Sequence, residues 1–214
     1  MINQWGIEVT ACSVIHPAVD DMFFEPTPPK EQTIVSVGRF EPIKQQQAQI
    51  ELFDRILLWL PKAAKLTLIG SNRTSLSKHF EKIVDPSLVQ IRYGLTLNAL
   101  HREYAKASVI WSTTGFGIAD RYAEVGQESF GLATAEAMAS QCVPVAIDAG
   151  GLTEIIETGR NGYLVSDLQE MGYATVQLLG DIMTRKKMAI EALYRARNFS
   201  RQSFREKIRE LFLS

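Results

Sequence analysis

The sequence predicts an α/β fold, with a doubly wound, mostly parallel sheet of the Rossmann type and helices on both faces. Five short runs rich in β-branched residues recur along the chain, and helical patterns lie between them. This alternation is typical of βαβ units, whose right-handed crossovers build a parallel sheet. The run at 143–147 is wholly apolar, as expected of a strand that is covered on both faces.

The predicted strands span residues 33–38, 65–70, 89–94, 108–112 and 143–148, and residues 162–165 are a candidate sixth strand. Predicted helices span 43–60, about 74–83, 97–105 and 133–140. In the first helix, apolar residues recur at three- and four-residue spacing, which predicts a face directed to the core. Ligands of such sheets bind beyond the carboxyl ends of the strands, so the residues that follow each strand are the first candidates for a site.

Length and composition limit the class of protein. The chain has 214 residues, 46% of them hydrophobic, and a formal net charge of −1. One sizeable core is expected, and the charge gives no electrostatic reason to expect nucleic-acid binding. No apolar run approaches the roughly 18–20 residues that span a bilayer, and the start does not read as a signal peptide. Because there is neither a spanning run nor a signal peptide, we predict a cytoplasmic location. Cys12 and Cys142 lie far apart and have no metal-ligand spacing, so we predict no metal and two reduced thiols, with a disulfide as the alternative.

The segment 127–151 carries the strongest functional pattern. Glu128 and Glu136 lie on either side of Gly131, which begins a short predicted helix. A glycine at this place lets a ligand approach free backbone N–H groups, and the helix dipole favours an anion there. The two carboxylates could accept hydrogen bonds from ligand hydroxyls on both sides of that anion. A phosphate between two hydroxyl-bearing groups describes a nucleotide sugar.

Two cations follow the first predicted strand. Arg39 comes directly after Gly38, and Lys44 opens the next predicted helix. Two cations at the carboxyl edge of a sheet suit a diphosphate, and an arginine can bind two of its oxygens at once. From spacing alone, a solvated pair on a surface loop is the favoured alternative.

The motifs resemble those of a known enzyme family. Residues 128–139 read ESFGLATAEAMA, and PVAIDAGGLTEII follows shortly after. This resembles the Glu-x7-Glu signature of retaining GT-B glycosyltransferases of family four (glycosyl transferases group 1), in their C-terminal, donor-binding domain. The family usually has a glycine after the motif lysine, where this chain has Gln45.

The resemblance implies roles for individual residues. Arg39, Lys44 and the amides near Gly131 and Leu132 would neutralise the departing diphosphate without a metal or another cofactor. Glu128 would orient sugar hydroxyls, and Glu136 would hold the ribose. Retention of anomeric configuration is an expectation from the family.

Further donor contacts are implied by the same resemblance. Similar enzymes lay the nucleobase against backbone after the third strand, which makes Ile91, Arg92 and Tyr93 candidates, although alternation favours the core for Ile91. Gly70 would form a small-residue turn under the donor, or is simply a turn. The predicted donor site also includes Gly38 and Phe130.

The irregular segment 113–127 leads directly into Glu128 and contains three glycines. A long structureless loop in a compact domain is usually functional or mobile. A subgroup of the similar enzymes carries a comparable insertion, so we hypothesise that this loop rims the sugar pocket. A tolerated surface insertion is the alternative.

The resemblance also implies a domain organisation. Residues 1–30 would form an interdomain connector and N-terminal extension, and residues 31–214 the nucleotide-sugar-binding domain with its C-terminal helices. Residues 196–213 resemble a terminal helix that crosses back to an N-terminal acceptor domain. That domain would be absent from this chain, and any peripheral membrane association would occur only through it. No oligomeric state is predicted.

The predicted function is that of the donor-binding half of a hexosyltransferase. It would move a hexose from a nucleotide-diphosphate sugar to a glycan, lipid or other hydroxyl acceptor, and would be inactive or nearly so by itself. The alternative is a non-catalytic nucleotide-binding or assembly module that keeps the fold. A glycosidase-like carboxylate pair is disfavoured because no pattern of aromatic residues suggests a sugar cleft. An epimerase or phosphorylase with the same fold lacks motif support.

Overall fold

The computed structural model describes residues 13–117 and 127–213, and its centre is a six-stranded sheet in which all paired neighbours are parallel. The strand order is β3-β2-β1-β4-β5-β6. The strands are β1 (Thr33–Val37), β2 (Lys65–Gly70), β3 (Val89–Tyr93), β4 (Val109–Ser112), β5 (Val143–Ile147) and β6 (Tyr163–Val165). The predicted doubly wound fold is confirmed, including the sixth strand.

Seven α-helices connect or follow the strands in the part of the chain that the structure describes. They are α1 (Gln46–Ile56), α2 (Ser75–Ile83), α3 (Leu97–Lys106), α4 (Leu132–Ala139), α5 (Leu168–Gly180), α6 (Ile182–Arg197) and α7 (Arg201–Leu213). Helices α5 and α6 were not among the predicted helices.

The core lies on both faces of the sheet because successive strand residues point in opposite directions. Ile34 of β1 belongs to the cluster beneath α1 and α5, whereas its neighbour Val35 belongs to the cluster beneath α3, α4 and α6. Trp111 of β4 is fully buried, and its indole N–H donates to Thr175 Oγ1 of α5 at 2.8 Å. Packing on both faces fixes the positions of the carboxyl ends of the strands.

Two predicted helices are interrupted. The helix expected at 43–60 begins as a short 3-10 turn, Pro42–Lys44, and Gln45 then adopts a left-handed conformation with φ 55° before α1 starts. The prediction of one continuous helix is wrong here, because a left-handed residue ends the repeating geometry. The helix expected at 196–213 is likewise split, since α6 ends at Arg197 and α7 starts at Arg201.

The segment before the sheet is attached to the segment that follows α6. The Val19 N–H donates to the Phe199 carbonyl at 2.8 Å, and Arg201 forms an ion pair with Asp20 at 2.5 Å. The first and last described segments therefore lie side by side.

The sheet has its topological switch point between β1 and β4. From there the chain winds to β2 and β3 on one side and to β5 and β6 on the other. In open α/β sheets the crevice at this point, outside the carboxyl ends of the strands, is where ligands bind. The loops after β1 and β4 lie at this crevice.

Candidate functional site: a paired lysine and glutamate at the switch point

The centre of the candidate site is an ion pair between Lys44 and Glu128. The lysine Nζ lies 2.6 Å from Glu128 Oε2, and the two side chains are only 19% and 24% exposed. Lys44 comes from the loop after β1, and Glu128 comes from the segment before α4. The fold thus joins two motifs that are 84 residues apart in the chain.

The loop that carries Lys44 is closed by hydrogen bonds of its own. The Lys44 N–H donates to the Glu41 carbonyl at 3.0 Å, and the Gln46 side chain donates to the Arg39 carbonyl at 2.8 Å. Gly38 lies beside the aliphatic part of Lys44, since a Cβ at Gly38 would be 3.5 Å from Lys44 Cδ. These contacts direct the lysine towards the switch point.

Arg39 is placed differently from Lys44. Its side chain is 69% exposed and forms an ion pair with Glu41 of the same loop at 3.0 Å. Exposed ion pairs contribute little to stability, because ordering long side chains costs rotamer entropy. Since its side chain is mostly exposed, the arginine lies at the rim of the site, whereas the less exposed lysine lies within it.

The helix start next to Glu128 has the geometry of an anion site. Gly131 has φ 91° and precedes α4, where the first backbone N–H groups have no partner inside the helix. A Cβ at this position would lie 2.6 Å from Leu152 Cδ2, so both the conformation and the packing require glycine. The N-terminus of α4, which starts at Leu132, lies at the carboxyl edge of the sheet.

A second glycine turn holds the Glu128 backbone. The Gly151 N–H donates to the Glu128 carbonyl at 2.7 Å. A Cβ on Gly150, which has φ 59°, would lie 2.3 Å from the same carbonyl oxygen. The Gly150-Gly151 sequence therefore allows the two loops to approach each other closely and determines where the Glu128 side chain starts.

Glu136 has a different environment from that of Glu128. It lies one turn into α4, and the buried Tyr104 hydroxyl is 3.4 Å from its Oε2. Burial raises the pKa of Glu136 to about 7, the hydrogen bond from Tyr104 opposes this rise, and the Asp20 charge adds to it. Among the described residues Glu136 has no ion-pair partner.

A cavity of about 380 Å³ lies over the ends of β1, β2 and β3. Gly38, Arg39 and Gly70, three of the predicted donor residues, line it. The loop after β3 contributes Gly94 and Leu95. The structure therefore brings the diphosphate and strand-end candidates to adjoining parts of one sheet edge.

Three predicted site residues lie elsewhere or point away. Ile91 packs against the core, as its alternation allows, and Arg92 forms an ion pair with Glu103 of α3 at 3.3 Å. Both line a separate groove along β3 rather than the cavity over its carboxyl end. The Phe130 ring is buried against His16 and Phe199, at 5.0 and 5.1 Å between ring centroids, which leaves only its backbone for a ligand.

Sequence reasoning did not single out two residues that contact Lys44 directly. Thr113 and Thr114 follow β4, and each forms a hydrogen bond with Lys44. Their position immediately after a strand at the switch point is a signal that could have found them. Of the loop at 113–127 that is predicted to rim the sugar pocket, residues 118–126 lie outside the described residues.

Within residues 13–117 and 127–213, no group of three or more His, Cys, Asp or Glu could hold a metal ion. The expectation of metal-independent chemistry stays a prediction. No helix in the same ranges is both long and apolar enough to cross a bilayer.

Comparison with known proteins identifies relatives of this chain. It is 27% identical over 184 residues to the poly(glycerol-phosphate) alpha-glucosyltransferase of Bacillus subtilis. The aligned region covers 84% of this chain and 25% of that protein. It is 25% identical over 223 residues to a D-inositol 3-phosphate glycosyltransferase of Nocardioides, covering 94% and 48%. The chain thus spans about a quarter to a half of the length of these curated relatives.

Solved structures show the same fold. Anabaena HepE in complex with UDP matches with a TM-score of 0.77 at 19% identity, covering 98% of this chain and 59% of that one. The C-terminal domain of the group 1 glycosyl transferase LpcC from Francisella tularensis matches with a TM-score of 0.68 at 25% identity, covering 85% and 97%. The family model for glycosyl transferases group 1 matches residues 31–181. The predicted resemblance to GT-B glycosyltransferases is confirmed, and the chain belongs to the glycosyl transferases group 1 family.

Proposed function

We propose that this chain is the donor-binding half of a retaining hexosyltransferase that uses a nucleotide-diphosphate sugar. The observation that carries the proposal is the Lys44–Glu128 pair beside the Gly131-led start of α4, at the switch point of the sheet. It brings together a cation, helix N–H groups without a helical partner and a carboxylate. A sugar diphosphate needs these three kinds of group.

The proposed roles follow from position. Lys44 and the first amides of α4 bind the diphosphate and stabilise the negative charge that grows as it departs. Arg39 adds a second cation from the rim. Glu128 accepts hydrogen bonds from hexose hydroxyls, and Glu136 accepts them from the ribose. No metal is proposed, because protein cations and N–H groups supply the positive charge.

The nucleobase is proposed to occupy the cavity over the ends of β1, β2 and β3. The backbone around Gly94 and Leu95 and the floor at Gly70 would contact it, whereas Ile91 and Arg92 would not. UDP is the first nucleotide to test because the solved structure of HepE contains it.

The acceptor and the location belong to the same proposal. The relatives are longer than this chain, so we propose that the acceptor hydroxyl is bound mainly by a complementary N-terminal domain. A glycan, a lipid or another hydroxyl compound is the proposed acceptor class. We propose a cytoplasmic location, with any membrane contact made through that domain.

Calorimetric titration with UDP, GDP and ADP tests the proposal. One nucleotide is expected to bind, and Lys44→Met is expected to weaken its binding about 100-fold, because a hydrogen bond to a charged group is lost. Lys62→Met, at an exposed lysine beyond α1, is the matched control and is expected to bind like the unmodified chain.

Equal binding by the Lys44→Met variant would contradict the assignment of the site. Absence of binding for all three nucleotides would favour the alternative of a non-catalytic assembly module. Turnover of a nucleotide sugar after addition of the complementary domain would establish the transferase activity.

A further inference from the structure

Two adjacent threonines after β4 contact opposite ends of Lys44. Thr114 Oγ1 accepts a hydrogen bond from Lys44 Nζ at 3.2 Å and lies 3.1 Å from Glu128 Oε2, to which it donates. Thr113 Oγ1 donates to the Lys44 backbone carbonyl at 2.7 Å. One dipeptide therefore holds both the main chain and the ammonium group of the lysine.

Thr113 is itself held by helix α1. The Gln49 side chain donates to Thr113 Oγ1 at 2.8 Å, and both residues are 1% exposed. The Gln49 N–H donates to the carbonyl of Gln45, the left-handed residue next to Lys44. A hydrogen-bond network that is excluded from water is stronger and more rigid than one on the surface. The network therefore restrains the turn from which Lys44 projects.

The ammonium group has more donors than these partners use. A lysine ammonium carries three N–H donors, and those of Lys44 reach Glu128 and Thr114. No third partner of Lys44 Nζ occurs in the described part of the chain. Two fixed hydrogen bonds determine the direction of the third N–H, since the three donors are arranged tetrahedrally.

We propose that Thr113 and Thr114 are positioning residues for Lys44, and that Thr114 and Glu128 together direct its remaining N–H towards a phosphate oxygen of the donor. The inference rests on the proposed function. Lysine has a flexible stem that ordinarily loses rotamer freedom when it binds a ligand. A lysine that is already oriented loses less freedom on binding, which increases affinity.

Glu128 has a second role in this arrangement. It is the counter-ion of Lys44, through the same Oε2 that accepts from Thr114. Its other carboxylate oxygen, Oε1, has no hydrogen bond to a described residue and is available for a sugar hydroxyl. One carboxylate thus orients the cation and contacts the hexose.

Competitive acetylation of the ligand-free chain, read by mass spectrometry, tests the positioning without any nucleotide. The rate at Lys44 relative to exposed Lys62 is expected to rise about threefold or more in Thr114→Val, because the ammonium loses one of its two partners. Thr114→Ser keeps the hydroxyl and is expected to react like the unmodified chain. Thr67→Val, at a buried threonine of β2, controls for a general loosening of the fold.

Titration with UDP and uridine measures the consequence for the ligand. Thr114→Val is expected to weaken UDP binding about tenfold and to leave uridine binding unchanged, because only UDP has phosphates. Thr114→Ser is expected to restore UDP affinity. A purely structural role would change both ligands alike and would not be rescued by serine.

The two measurements separate failure of the inference from failure of the proposed function. Unchanged acetylation of Lys44 in Thr114→Val overturns the inference, whatever the nucleotides do. An equal loss of UDP and uridine affinity also overturns it. If acetylation rises but the unmodified chain binds no nucleotide, the positioning by Thr114 stands and the nucleotide-sugar function fails.

Discussion

The two motif glutamates, eight positions apart, have opposite electrostatic environments. Glu128 forms an ion pair with Lys44 at 2.6 Å, and Thr114 adds a hydrogen bond. Glu136 faces the Tyr104 hydroxyl instead, and burial raises its pKa to about 7. The difference shows that a symmetric sequence signature can encode two unlike groups. One carboxylate is paired with a cation, and the other is largely buried without one.

The two glutamates are also expected to affect the stability of the fold in different ways. A buried carboxyl without a cation favours its protonated form, so it destabilises the fold whenever the solution is alkaline enough to remove its proton. A carboxylate in an ion pair is stabilised in its charged form. The site therefore retains an unfavourable group at Glu136, which is expected of a residue selected for binding rather than for stability.

The largest expected effect is on stability, through Glu136→Gln. The folded pKa of about 7 lies above the ordinary value of 4.5, so the unfolded chain releases this proton first. The contribution of Glu136 to stability is fully present below pH 4.5 and is lost as the pH rises to about 7. The glutamine variant cannot ionise at this position. Its free energy of unfolding at pH 8 is therefore expected to be about 3 kcal/mol higher than that of the unmodified chain. Urea unfolding at pH 4.5 and pH 8 measures the difference.

Glu128→Gln is the matched comparison for this stability test. It breaks the ion pair with Lys44 and is expected to destabilise the chain at pH 8 by about 1 kcal/mol, because the pair is only partly buried. If both glutamine variants changed stability in the same direction at pH 8, the two glutamates would not differ as described.

The next effect concerns the pH dependence of nucleotide binding. In the proposed function, ribose hydroxyl groups donate to the ionised form of Glu136, so nucleotide binding below the pKa of this carboxyl must first remove a proton. Affinity for UDP is therefore expected to rise about tenfold between pH 6 and pH 8 relative to Glu136→Gln, which lacks this titration. Phosphate groups titrate near pH 6 as well. Dividing the UDP affinity of the unmodified chain by that of Glu136→Gln at each pH removes that contribution. A constant ratio would show that Glu136 does not bind the ligand as a carboxylate.

The smallest effect separates the two cations. Arg39 is mostly exposed and forms an ion pair with Glu41, whereas Lys44 lies inside the site. Arg39→Ala is expected to weaken UDP binding about threefold, far less than Lys44→Met, because an exposed charge is screened by solvent. Arg55→Ala, at an exposed arginine of α1, is the control. Equal losses for the Arg39 and Lys44 variants would mean that Arg39 turns inward when the donor binds.

Local pattern was sufficient to predict most of the sheet. The β-branched runs predicted five of the six strands, and residues 162–165 were a candidate sixth. The pattern is clearest for β5, which is apolar along its length because both of its faces are covered. The start of the first helix could not be placed, since the left-handed Gln45 turn is accompanied by side-chain hydrogen bonds from Gln46 to the Arg39 carbonyl and from Gln49 to Thr113. Helices α5 and α6 were missed entirely.

The candidate site was only partly predictable. Motif resemblance predicted roles for Lys44, Glu128 and Glu136, because the family signature places them at set distances in the chain. Thr113 and Thr114 have no such signature, and their relevance depends on the neighbourhood of β1 and β4.

The sequence by itself determined the order of the strands and of helices α1 to α4 along the chain, the glycine-led start of α4 and the presence of two acidic and two basic candidates. These follow from side-chain periodicity and from local backbone preferences, which act over a few residues. The tertiary structure alone decided that Lys44 meets Glu128 and Thr114, that Arg39 stays at the rim, and that Glu136 is largely buried without a cation. Ion pairing and desolvation depend on distances across the fold, and only the packed sheet sets those distances.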